Sequence, residues 1–395
     1  MKNRTMLIVV ALLAVLAVGG YAVHAQAVLT LPSGNVSIGI GEYGELGNCA
    51  GGACYSVGSS TLATGTPGLP ANSNNTSPYV GDAGNLAGQP YGIYLASQNA
   101  DSVTPGCFCE GWGASYNGST AGYASNDWGT GGVTYVSSTT NAPVNGTGTT
   151  ATTVTSIGNL QVTQAFAPAT NTAGAGGGTN NWLFEDTVTL KNTSGSAMTD
   201  VSYARSTDWD INPTEFNEVE TLGGWGATAL TYSVNNGFCT DNPLTLASDC
   251  GAIGTSTGSS WTDTDFTQNG YADQGSSFLF DFGALAAGAS TTFDIFYGAA
   301  DNGADALAAL GDVGAEVYVL GYASDGAGCY TYYSGFCADG AANLDSGTWV
   351  FGFAGVGGTA LPPPSEVPEP SSLVLFGTSL LGLAFMLWHR RVLKA

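Results

Sequence analysis

The sequence has almost no positive charge and almost no imidazole. Seven Lys and Arg stand against 30 Asp and Glu in 395 residues, a formal net charge of −23. Five of the seven cations, Lys2, Arg4, Arg390, Arg391 and Lys394, lie in the terminal segments. Residues 28–360 therefore keep only Lys191 and Arg205 against 28 carboxylates. Nucleic-acid affinity rests on Lys and Arg neutralising phosphates, so nucleic acid is excluded as a partner. Both histidines, His24 and His389, are also terminal, which removes Ser-His-Asp and Cys-His nucleophile activation and His-ligated metal sites from the body. A fixed-period repeat is missing too, which argues against a solenoid or propeller. Gly174–Thr179 is glycine-rich but lacks a P-loop lysine.

What is present points to β-structure. The chain is 44% hydrophobic and 11% aromatic, with 59 glycines, too apolar for a disordered polyanion. Short alternating runs at Leu160–Phe166, Phe184–Leu190, Val201–Arg205 and Thr292–Tyr297 read as strands, and Lys191–Ser196 between two of them reads as a hairpin-type turn. One helix is expected over Asp301–Leu310, capped by Asp301 and ending before Gly311. The expected fold class is mainly β: an antiparallel β-sandwich with one short helix, plus an N-terminal signal peptide and a C-terminal transmembrane helix.

The two ends carry targeting chemistry. Lys2 and Arg4 precede an uncharged run, Met6–Val18, and small residues up to Ala27, the pattern of a signal peptide cleaved near Gln26 or Val28. At the other end Pro362–Pro364 make a stiff spacer, Val367-Pro368-Glu369-Pro370 follows, and the uncharged stretch Ser371–Trp388 is capped by His389-Arg390-Arg391 and Lys394. That stretch is a minimal membrane span with its positive end cytoplasmic. The tripartite tail resembles the PEP-CTERM sorting signal of bacterial exported proteins, with Val367, Pro368, Glu369, Pro370, Arg390 and Arg391 as its signal residues. The resemblance implies recognition by exosortase, a membrane protease, and release of the body to the cell surface or an exopolysaccharide matrix. Asn192-Thr-Ser-Gly, Asp208-Trp-Asp210, Phe293–Ala300 and Trp349–Gly358 also resemble β-rich PEP-CTERM proteins, without implying an activity. The resulting division is 1–27 signal peptide, 28–136 Gly-rich β region, 137–156 Ser/Thr-rich connection, 157–358 sandwich, 359–370 Pro-rich spacer and PEP motif, and 371–395 transmembrane helix and basic tail.

Eight cysteines remain in the body, an even count that in an exported chain reads as disulfides. Spacing suggests Cys49–Cys54, Cys239–Cys250 and Cys329–Cys337. Cys107 and Cys109 sit roughly 6.6 Å apart on an extended strand with parallel side chains, so they bridge each other awkwardly or cross-link to Cys49 and Cys54 in either order.

The densest oxygen cluster is Asp208-Trp-Asp210-Ile-Asn212-Pro-Thr-Glu215. Asp208, Asp210 and Asn212 share one face of an extended segment, and with Glu215 they form a candidate calcium site, the one cofactor the sequence suggests. It is not an EF-hand, since Pro213 replaces the turn glycine and Val219 the bidentate Glu. The competing structural reading pairs Arg205 with Asp208 or Asp210 and buries Trp209. A third reading is a glycosidase pair with Trp209, Trp225 and Tyr203 as sugar platforms, and Trp112 and Trp128 between glycines fit either sugar stacking or core packing. The expected function is an exported, non-catalytic structural or adhesive protein of the cell surface or exopolysaccharide matrix, with extracellular polysaccharide as a candidate partner. The alternative is a carbohydrate-binding protein or carboxylate-dependent glycoside hydrolase.

Overall fold

The computed structural model describes residues 27–47, 92–98, 100–103, 110–125, 129–142, 147–172, 177–211, 218–224, 226–251, 267–323 and 347–363. Strands are numbered in chain order. Nine form one sheet, in the order β16 (Thr267–Ala272), β14 (Glu218–Gly223), β19 (Val317–Tyr322), β20 (Thr348–Ala354), β18 (Ser290–Ala300), β12 (Gly178–Asn192), β11 (Leu160–Asn171), β10 (Ala151–Ile157) and β8 (Thr134–Thr140). Six form a second: β15 (Leu230–Val234), β17 (Gly275–Asp281), β13 (Ser202–Asp208), β5 (Glu110–Tyr116), β6 (Thr120–Ser125) and β7 (Gly129–Gly131). A smaller sheet joins β4 (Ala100–Asp101), β3 (Ile93–Leu95), β2 (Val36–Ile40), β1 (Ala27–Thr30) and β9 (Thr147–Gly148). Pairing is antiparallel apart from β1 with β9, which is parallel.

Period-two alternation sets the inner face. Along β10, Ala151, Thr153, Thr155 and Ile157 are buried, and along β11 Leu160, Val162, Gln164 and Phe166. The nine- and six-stranded sheets meet through aromatic rings: Phe353 lies 4.7 Å from Phe278 and 4.9 Å from Phe280, and Tyr203 lies 5.1 Å from Phe293, centroid to centroid. Leu29, Ile38, Ile93 and Leu95 of the small sheet join the same core.

Both sheets are also covered outside over part of their width. Helix α2 (Gly303–Val313) lays Ala306, Ala309, Leu310 and Val313 over Leu183, Phe296, Leu320 and Val350 of the nine-stranded sheet, so β19 and β20 are buried on both faces. The helix starts and ends later than expected. Asn302, not Asp301, accepts the Asp305 amide at 3.0 Å, because Asp301 is engaged by the Ser97 hydroxyl. The stop is Gly314, in the left-handed region at φ 70°. The outer face of the six-stranded sheet lies under the 235–251 loop, with one helical turn α1 (Leu246–Asp249), closed by the expected Cys239–Cys250 disulfide. A side chain at Gly113 would collide with the Asp241 carbonyl, so glycine lets this loop lie flat on β5. Cys49, Cys54, Cys107, Cys109, Cys329 and Cys337 lie outside the described residues.

Three expectations need correction. The 137–156 stretch is not a connection: it supplies much of β8 and β10, because Thr is β-branched and alternates with Ala, Val and Ile. Lys191–Ser196 is not a hairpin turn, since β12 and β13 belong to different sheets. The chain crosses there, held by the Asn192 side chain, which donates to Ser196 O at 2.7 Å and Leu285 O at 3.1 Å. Arg205 does not pair with Asp208 or Asp210. Three residues apart on one strand, Arg205 and Asp208 face opposite sides. Arg205 points inward, fully buried, and forms an ion pair with Glu110. Its Nη1 donates to Gln164 Oε1 at 3.1 Å and to Gly44 O at 3.4 Å, and its guanidinium lies 5.1 Å from the Tyr297 ring centre.

Candidate metal centre

The second carboxylate cluster forms where β13 runs out. Trp209 N–H donates to Gln274 O at 2.9 Å and Asp210 N–H to Ser102 O at 2.8 Å, so the chain is clamped on both sides as it leaves the sheet. Trp209 turns into the core, fully buried, edge-on to Phe351 at 5.4 Å and against the bare backbone of Gly321. Asp208 and Asp210, two residues apart, stay together. β13 pairs with β17 so that Asp208 faces Gly275, which brings Asp273, in the turn before β17, to the same place. One oxygen from each of Asp208, Asp210 and Asp273 lies within 4.8 Å of the other two.

Glu218, the first residue of β14, closes the cluster from the nine-stranded sheet, accepting the Ile211 amide at 3.2 Å. Behind it Glu220 accepts the Ser276 hydroxyl at 2.7 Å. Asp208, Asp210, Glu218 and Glu220 are at most 1% exposed, whereas Asp273 is half-buried. Burial, reinforced by repulsion from Asp210, Asp273 and Glu218, holds the Asp208 carboxyl well above its ordinary range. Glu218 is raised in the same way, by burial and then by Asp210.

A hard cation fits this donor set. Oxygens bound to one Ca²⁺ at about 2.3–2.6 Å stand at most about 5 Å apart, so the three Asp side chains can share one ion. Half-exposed Asp273 leaves a side for water to complete the shell. Of the expected ligands the structure brings Asp208 and Asp210 together, while Asn212 and Glu215 lie outside the described residues. Asp273 was not among the residues that the local spacing singled out, and only the β13–β17 register brings it in.

Among the described residues, the aromatic side chains considered as sugar platforms are engaged in the core. Trp112 is fully buried, stacks on Tyr203 at 6.0 Å and donates to Tyr43 O at 3.0 Å; Tyr203 and Trp209 are core residues. Trp128 and Trp225 lie outside the described residues.

Comparison with known proteins places the chain by its tail. The family model for the PEP-CTERM protein-sorting motif matches residues 366–391. The protein carries a PEP-CTERM sorting signal. That motif marks an exported protein sorted by exosortase, anchored through its C-terminal region beforehand. No curated protein matches the chain. Among the described residues no helix is long and apolar enough to cross a membrane; the expected span 371–388 and signal peptide 1–27 fall outside them, apart from Ala27.

Proposed function

We propose that this PEP-CTERM protein is a non-catalytic structural or adhesive component of the cell surface or exopolysaccharide matrix, stiffened by calcium bound at Asp208, Asp210 and Asp273. The observation that carries the reading is the sorting motif at 366–391. It is supported by a body without histidine and by the placement of Trp112, Tyr203, Trp209 and Trp349, among the described residues, in the core. The cation site suits such a role because it ties the end of β13 to the turn before β17. Strand ends are where a sandwich frays first.

The alternative, a carbohydrate-binding protein or carboxylate-dependent glycoside hydrolase, needs aromatic faces and paired carboxyls open to a polymer. Trp112, Trp209, Tyr203, Asp208 and Asp210 are all enclosed, which counts against it. The test is mass spectrometry of protein recovered from the matrix, beside a strain lacking the exosortase. Matrix protein should lack the segment after Pro370, and the mutant strain should hold an uncut chain in its membrane. Matrix protein retaining Arg390-Arg391 refutes the sorting claim, and turnover of an oligosaccharide panel by the purified body refutes the non-catalytic one.

A further inference from the structure

The Arg205 cluster holds a juxtaposition that core packing does not explain. Thr153 on β10 and Gln164 on β11 are directly opposite in register, both on the inner face, 2% and 1% exposed. The Thr153 hydroxyl has no hydrogen-bond partner, an expensive state for a buried hydroxyl. Its neighbour is the opposite case, with the Gln164 carboxamide gripped at both ends. Oε1 accepts from Arg205 Nη1 at 3.1 Å and from the Tyr203 hydroxyl at 3.4 Å, and Nε2 donates to Tyr43 O at 3.0 Å. A methyl carbon placed on Gly44 would lie 2.7 Å from Thr153 Oγ1 and 2.8 Å from a carbon of the Gln164 side chain, Cδ. The two atoms are thus at most 5.5 Å apart (2.7 Å plus 2.8 Å). That bound includes the roughly 3–3.5 Å of a reactive approach, with the carboxamide still held by its partners.

We propose that Thr153 and Gln164 are a self-modification site, at which the hydroxyl attacks the carboxamide to form an intramolecular ester linking β10 to β11. Oγ1 bonds to Cδ, the Cδ–Nε2 bond breaks, and ammonia leaves carrying the hydroxyl proton. No oxidant or reductant is needed. The proton passes directly from the hydroxyl to the departing nitrogen as the Cδ–Nε2 bond breaks. The charge that develops on Oε1 meets two donors already in place, one of them cationic, as in an oxyanion hole. Burial then shields the ester from hydrolysis. This inference is independent of the cation site, which lies on other residues.

The experiment is peptide mass spectrometry of the mature protein isolated from its native cells. Denatured protein is cut with chymotrypsin, which separates Thr153 from Gln164 by cleaving after Leu160. The expected result is one species joining the two peptides, about 17 Da lighter than their sum through loss of ammonia, and separated by hydroxylamine. Thr153→Val should fold and give the two free peptides, and Thr153→Ser should restore the link. Cyclisation of an N-terminal Gln26 loses the same mass, so the assignment rests on the linked pair rather than on the intact mass. Free Thr153 and Gln164 peptides in full yield from folded wild-type protein overturn the proposal. A Gln164 peptide that still lacks ammonia in Thr153→Val overturns it as well.

Discussion

Asp186 offers a sharp test of how the core handles charge. It sits on β12, fully buried, and neither of its oxygens makes a well-formed hydrogen bond. Burial, only partly offset by Arg205, holds its carboxyl well above the ordinary 3.8. Arg205 is one cation, and Glu110 is the carboxylate that touches it. Burial raises Glu110 too, to about 8, even though the guanidinium and the Leu46 amide, which donates at 2.6 Å, pull against it. Asp186, which the guanidinium does not touch, also keeps its proton. In the unfolded chain it titrates near 3.8, so between that value and its raised folded value the folded state binds more protons, and stability falls as pH rises. Holding the proton at pH 8 costs at most about 6 kcal/mol, from 4.2 pH units at roughly 1.4 kcal/mol each. Asp186→Asn removes that cost but leaves an extra buried N–H, worth about 1–3 kcal/mol. The variant should therefore be more stable than wild type by up to about 3–5 kcal/mol at pH 8, and less stable by about 1–3 kcal/mol at pH 4, where the wild-type acid holds its proton almost without cost. Urea denaturation at pH 4, 6 and 8, in chelator so that the candidate cation site stays empty, reads both ends. An Asn variant that loses as much at pH 8 as at pH 4 would show Asp186 ionised in the folded state, and the reasoning from its burial would be refuted.

Calcium should raise the melting temperature more than magnesium at equal ionic strength, by the equivalent of about 2.7 kcal/mol at a hundredfold excess over Kd. The gain should be larger at pH 8 than at pH 5, because the ion competes with protons on the raised Asp208 and Glu218 carboxyls; Asp210→Ala and Asp273→Asn should abolish it, and equal shifts from both ions would leave only screening. Alkylation without reductant should not label Cys239 or Cys250, and replacing both with Ser should cost about 2–4 kcal/mol in denaturant titration; full labelling of the native protein would refute the bridge. Gly113→Val should lift the 235–251 loop off β5, seen as proteolytic cutting near Asp241 under native conditions, and unchanged resistance would mean that the loop does not depend on that contact.

Much of the sandwich was legible because alternation is a local signal. Leu160–Phe166 and Phe184–Leu190 show the inner-face periodicity of β11 and β12 in their own residues. What stayed hidden was which sheet a strand joins. Lys191–Ser196 has turn chemistry whether the chain reverses into the neighbouring strand or crosses to the opposite sheet, and the deciding contacts, from Asn192 to Leu285 and Ala286, come from more than 90 residues away. The helix limits failed for a similar reason. Gly311 looks like a stop, but it lies against the Pro362 carbonyl, where a side chain would collide, so here glycine serves close packing inside a continuing helix.

The same division between local and distant signals runs through the site. Asp208 and Asp210 are adjacent on any extended reading of the sequence, while Asp273 and Glu218 enter through strand register and sheet packing. Arg205 is the more instructive case, because the period-two rule alone turns it away from Asp208 and towards the face of Tyr203. Its partner, Glu110, belongs to β5, which pairs alongside β13. A body with 28 carboxylates and two cations offers Arg205 anions almost everywhere on its surface, yet the structure buries it among Glu110, Gln164, Tyr203 and Tyr297. A buried guanidinium contributes little net stability, but losing its partner costs about 3–5 kcal/mol. Its position is better understood through what it fixes in place: β5, β11, β13 and the backbone at Gly44 converge on one charge, and that charge holds the Gln164 carbonyl oxygen.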